Sequence, residues 1–149
     1  MGYSTDFMGE LKFTTELTAS QLAMVQSFMG EDCRDHPDWV GAKGLDHLNL
    51  ALLDDFSGIE WSGMEKTYRM ESLVNVLVLN MRKEYPEFGL KGFLSAQGQR
   101  HEDRWELRIT KDGLAYRFER PLMGDKIECP ICGETFILEE REGNINDTR

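Results

Sequence analysis

Cysteine, histidine and proline are scarce in this chain of 149 residues, with three, three and four copies. So few cysteines, and an odd number of them, exclude the disulfide framework that staples small secreted domains and point instead to free thiols or metal ligands. Long hydrophobic runs are missing too. The most apolar window, LVNVLVLNM at 73–81, contains two Asn and is far short of the about 20 apolar residues that span a bilayer. The opening MGYSTDFMGELKF has no basic region followed by an apolar stretch, which argues against a secretory signal. Asp6 stands where a myristoylation motif needs Ser or Thr. Basic residues are scarce at one end. Residues 1–60 hold Lys12, Arg34 and Lys43 against eleven acids, whereas the rest balances fourteen bases against sixteen acids. That field repels a phosphate backbone, so nucleic acid is a poor partner for this part of the chain. It suits a basic protein partner, or simple solubility. A serine-nucleophile motif, a P-loop and a dinucleotide fingerprint are all absent.

What is present suffices for one domain: 40 % of the residues are apolar and 30 % charged. Residues 6–13 read as a first strand in which Gly9 marks a bulge. Thr18 with Gln21 forms a capping box, and Leu17 with Leu22 suits a hydrophobic staple, so a helix is expected over about 19–29. Residues 30–47 are an aperiodic loop carrying Cys33, His36 and His47; a loop of that length inside a compact domain needs something to order it, and a bound metal would serve. Residues 48–61 suggest two short strands joined by a turn at DDFSG. Ser62 with Glu65 reads as a second capping box opening a long, largely buried helix that stops before Pro86. FGLKGFLSAQGQ, RWELRIT and LAYRFER then form an antiparallel meander, with Lys111-Asp112-Gly113 as a hairpin turn. The expected architecture is α+β: a two-layer sandwich of mostly antiparallel sheet with two helices on one face and a zinc-knuckle hairpin at the C-terminus. Residues 1–140 form the domain, with the knuckle at 126–138, and 141–149 a polar tail.

The knuckle rests on KIECPICGETFIL. Two thiolates two residues apart reach one ion from a tight turn, Pro130 restricts that turn, and structural zinc takes four such ligands in a tetrahedron. A redox dithiol has the same spacing but sits at a helix N-terminus, whereas GETFIL is strand-like. Cys33 and His36, two residues apart in CRDH, supply the other half, so that Cys33, His36, Cys129 and Cys132 complete a Cys₃His site. His47 and His101 are alternative fourth ligands, and a site completed between two chains is a further option. With four protein ligands the zinc is structural.

CPICGETF resembles a zinc-ribbon knuckle, which implies zinc and no particular activity. GYSTDFMGELKF, IEWSGMEKTYRMESLVNVLV and GLKGFLSAQGQRHEDRWELRI together resemble a group of small proteins encoded by bacteriophages and related genomes. That resemblance implies a phage or bacterial setting. In the group, a stretch resembling Trp61, Glu65, Lys66 and Tyr68 opens the long helix, and a sheet segment resembling Gly92, Gln97 and Gly98 follows. The short loop between the helices and the cysteine-bearing tail depart from the group.

The expected function is therefore macromolecular binding by a zinc-stabilised cytoplasmic accessory protein, with an acidic surface offered to a host protein. The alternative is an enzyme with a site near Trp61–Tyr68 and His101. Arg104 and Arg108 share one strand face with Glu102 and Glu106, which suggests a mixed-charge solvated surface rather than a nucleic-acid patch.

Overall fold

Two periodicities divide this chain, a period of two in the strands and of about 3.6 in the helices, and each leaves one apolar side to be buried. The computed structural model describes residues 4–119, together with the backbone of 126–128 and 135–137. In chain order the elements are β1 (Thr5–Phe13), α1 (Ala19–Phe28), a 3-10 turn at Cys33–Asp35, β2 (Leu50–Leu52), β3 (Gly58–Trp61), α2 (Met70–Glu84), β4 (Leu90–Gly98), β5 (Arg104–Ile109), β6 (Ala115–Glu119), β7 (Lys126–Glu128) and β8 (Thr135–Ile137). Strands β1 to β6 form one sheet in the order β2-β3-β1-β4-β5-β6, with every neighbouring pair antiparallel. Strands β7 and β8 pair antiparallel as a separate hairpin. The fold is α+β. The knuckle residues Cys129 to Glu134 lie outside the described residues.

The alternation of β1, β4 and β5 decides which side of the sheet is covered. Phe7, Leu11, Phe13, Leu90, Leu94, Ala96, Trp105 and Leu107 are buried, and they join Val25 and Phe28 of α1 and Leu73, Val74, Leu77 and Met81 of α2 in one core. Each Val, Leu, Phe or Met among them contributes about 1.5–3 kcal/mol on full burial. Both helices feed the same side. Among the described residues, no helix covers the opposite side of the sheet.

Helix α1 begins as its sequence predicts. The Thr18 hydroxyl accepts from the Gln21 N–H at 3.2 Å and the Gln21 side chain accepts from the Thr18 N–H at 2.8 Å. Helix α2 begins later than the Ser62–Glu65 pattern predicts. Lys66 and Arg69 are left-handed, with φ of 59° and 57°, and Thr67 between them is buried. The Thr67 hydroxyl accepts from Trp61 Nε1 (3.1 Å) and Asn49 Nδ2 (3.0 Å) and donates to the Met64 carbonyl (2.7 Å). Ser62 N–H donates to the Asn49 carbonyl, alongside the β2–β3 pairing. These bonds hold 62–69 as a non-helical connector, and the capping box loses to them.

Gly9 is not a bulge. The β1–β4 ladder runs without interruption from Thr5 opposite Gly98 to Phe13 opposite Leu90. Instead Gly9 and Gly92 both carry a φ of 108°, on either side of the Glu10–Phe93 pair. A Cβ at either glycine would stand 3.0 Å from a carbonyl oxygen of the neighbouring strand.

Candidate functional site

The loop at 30–47 is ordered by the protein's own groups. Asp32 and His47 form a β-bridge, the Cys33 N–H donates to the Asp46 carbonyl, and Leu48 N–H donates to the Glu31 carbonyl. Asn80 of α2 clamps the loop: its side-chain oxygen accepts from Val40 N–H and its amide nitrogen donates to the Val40 carbonyl, both at 3.0 Å. Asn75, five positions earlier, makes the same two-bond clamp on Ala115 of β6. Helix α2 thus grips the loop with one amide and the sheet edge with another.

Within this loop Cys33 is buried in the core and forms part of the wall of an apolar cleft of about 450 Å³ with Pro37, Trp39 and Ala42. Burial, helped by the Asp32 and Asp46 carboxylates, pushes its thiol pKa up. His36 stacks on Trp39 with ring centroids 3.9 Å apart, and its Nε2 lies 3.0 Å from a Glu31 oxygen. Asp32 takes a bidentate hold from the Arg34 guanidinium at 2.8 and 2.9 Å. That pair, with the Arg34 N–H, lowers the Asp32 pKa to about 2. Among the described residues no three His, Cys, Asp or Glu side chains gather as a metal cluster. Cys129 and Cys132, the other predicted ligands, lie outside the described residues. Of the alternative ligands, His47 lies 3.8 Å from Asp32, and His101 is exposed on the β4–β5 turn.

The residues of the enzyme alternative are dispersed. Trp61 is engaged with Thr67, and Glu65 and Lys66 are exposed. Tyr68 does line a cleft of about 260 Å³ with Arg69, Asp103, Trp105 and Arg117 at the start of α2. Arg117 lies over the Trp105 ring at 4.1 Å and pairs with Glu119.

A further feature is the face of the sheet that the described helices leave uncovered. Met8, Phe93 and Tyr116 are 69, 52 and 47 % exposed there. Large apolar side chains in the middle of a water-facing sheet are unusual, since antiparallel sheets turn polar residues to solvent. Around them the charge is sorted. Asp6, Glu10 and Glu60 stand with Lys12 on β1 and β3, whereas Lys91, Arg104 and Arg108 stand with Glu106 on β4 and β5. Glu106 accepts two bonds from Arg108, at 2.8 and 2.6 Å, and the Arg108 guanidinium covers Phe118 at 5.0 Å. Of the two acids expected beside Arg104 and Arg108 on the β5 face, Glu106 is there, whereas Glu102 lies in the turn before β5 begins. Between the two halves, Met8, Glu10, Glu60, Phe93 and Ser95 line a shallow groove at the glycine pair.

No family model, curated protein or solved structure matches this chain. No helix among the described residues is long and apolar enough to cross a membrane.

Sequence reading singled out the loop ligands and Trp61–Tyr68, and missed Met8, Phe93 and Tyr116. The signal for them was present. Met8 and Phe93 are large apolar residues at strand positions whose neighbours two away are polar (Asp6 and Glu10 around Met8, Lys91 and Ser95 around Phe93), which breaks the polar half of the alternation; Tyr116, between Leu114 and Phe118, gives no such signal.

Proposed function

We propose that this protein is a binding module that takes a macromolecular partner on the open face of its sheet. The observation that carries this is the exposure of Met8, Phe93 and Tyr116 on a face that neither described helix covers. Exposed aromatic and methionine side chains ringed by charge are the composition of an interface core with its rim. The resemblance to phage-encoded proteins supports an accessory role in the cytoplasm of a bacterial host, and the acidic β1–β3 half suits a basic patch on a host protein.

A structural zinc held by Cys33, His36, Cys129 and Cys132 is the second part of the proposal. The donor set fits zinc: three sulfurs and one imidazole leave no position for water. Glu31 on Nε2 of His36 leaves Nδ1 as the donor, the arrangement in which a carboxylate orients a ligating ring. The raised Cys33 pKa means that the metal must displace a proton to bind.

The test of the binding surface is capture from a bacterial lysate with tagged wild type and with a Met8→Ser, Phe93→Ser, Tyr116→Ser variant. Wild type should retain proteins, its own untagged copy included, that the variant loses, while the melting temperature changes little because the three side chains are exposed. Equal recovery by both would move the function off this face.

A further inference from the structure

Strand β4 has an acid on one flank and an arginine on the other at two levels of the open face. Asp6 of β1 pairs with Gln97, which pairs with Arg104 of β5; Glu10 of β1 pairs with Phe93, which pairs with Arg108 of β5. The second row extends further. Glu60 lies beyond Glu10, one step past the Leu11–Ile59 pair, and Tyr116 lies beyond Arg108. Read across the sheet, the row runs Glu60, Glu10, Phe93, Arg108, Tyr116.

A two-fold axis running along β4 reverses such a row onto itself. It sets Phe93 on Phe93, Glu10 opposite Arg108, Asp6 opposite Arg104 and Glu60 opposite the Tyr116 hydroxyl. A two-fold axis across the strands would instead set acid on acid. Two-fold interfaces are self-complementary in this way, with each residue meeting its counterpart's partner twice. We propose that the occupant of the open face is a second copy of this chain, packed sheet on sheet about an axis along β4. This inference rests on the reading of that face as a docking surface.

The dimensions approach what it needs. Six strands at about 4.8 Å span about 24 Å, and strands of three to nine residues at about 3.3 Å average about 20 Å in length, giving a face of roughly 500 Å² before side-chain relief. A standard interface takes about 800 Å² from each partner. Packed sheets cross at about 30°, so register is kept close to the axis, where β1 and β5 are the immediate neighbours of β4. Lys91 lies towards the end of β4, where its ammonium stays in water.

The experiment is sedimentation equilibrium of the full chain with two charge variants, Asp6→Arg with Glu10→Arg and Arg104→Glu with Arg108→Glu. Wild type should sediment at twice its 17.2 kDa mass. Each variant alone should self-associate about tenfold more weakly or worse, because like charges then face each other. A one-to-one mixture of the two should recover the double mass, which a misfolded variant could not do. A monomeric wild type, or variants that dimerise as well as wild type, or a mixture that stays monomeric, would each overturn the proposal. If wild type is monomeric, peroxide oxidation of Met8 separates what remains. A protected Met8 means that residues 120–149 cover the face, and a freely oxidised Met8 leaves the face open to a different protein, so the docking reading survives without the second copy.

Discussion

Asn80 is 3 % exposed and spends its amide on Val40 N–H, on the Val40 carbonyl and, at 2.7 Å, on the Val76 carbonyl of its own helix. A side-chain amide that pairs with both backbone groups of one residue imitates a strand partner, and it holds a loop that has no ladder of its own. Asn80→Leu should cost about 1–3 kcal/mol, since it strands the Val40 groups and forces an apolar branch into their place. Urea unfolding measures the loss, and limited proteolysis should show cleavage within 30–47 rising with it. The glycine pair makes a different kind of residue-scale statement. At a φ of 108° with a carbonyl oxygen 3.0 Å from the missing Cβ, Gly92→Ala should cost about 1–3 kcal/mol through backbone strain. The same change at Gly113, whose side chain would meet the flexible end of Arg82 rather than a strand backbone, still pays for its positive φ but leaves the β1–β4 ladder alone. Amide exchange along β1 should therefore rise in the first variant and not in the second.

Two turn carboxylates carry part of the pH dependence, alongside Asp32 of the first loop. In the β5–β6 hairpin the Asp112 carboxylate accepts from the Thr110 hydroxyl and from Leu114 N–H; in the β2–β3 turn the Asp55 carboxylate accepts from the Ser57 hydroxyl at 2.6 Å and the Ser57 N–H at 3.0 Å. These bonds lower both pKa values, the hydroxyl contributing most in each case. A carboxyl whose pKa is lower folded than unfolded stabilises the fold at pH above its ordinary value of about 4, and that contribution is lost as pH falls through the lowered value. The melting temperature should hold steady above about pH 5 and fall below about pH 4, and Asp112→Asn with Asp55→Asn should flatten that acid limb. An acid limb as steep in the double variant as in wild type would assign it to other carboxylates. Helix α1 and the β5–β6 hairpin turn were legible in the sequence because their determinants are close together: Thr18 with Gln21, and Lys111-Asp112-Gly113. The start of α2 was not. Its Ser62–Glu65 signal is locally valid, but Thr67 bonds to Asn49, eighteen residues away, and no local pattern contains that partner.

For the whole molecule, the zinc proposal ties the first loop to the C-terminal hairpin, closing nearly a hundred residues of chain. Elemental analysis should find about one zinc per chain, and Cys129→Ala should remove it. Because binding free energy at such a site is folding free energy, metal removal should lower the melting temperature. The loop itself should stay protected, since Asn80, the Asp32–His47 bridge and buried Cys33, Ala42, Leu45 and Leu48 hold it independently. Full stability and unchanged metal content in Cys33→Ala would take that residue out of the site. The α+β class, both hairpins of the meander and the buried stripe of α2 followed from composition and periodicity, since burial of one face is dictated by residues on that element alone. Which face of the sheet stays open, which acid lies across β4 from which arginine, and which backbone the two asparagines of α2 grip were decided only by the tertiary structure. Each depends on register and packing between segments tens of residues apart, and a one-residue shift in any pairing would rewrite them without changing a single local pattern.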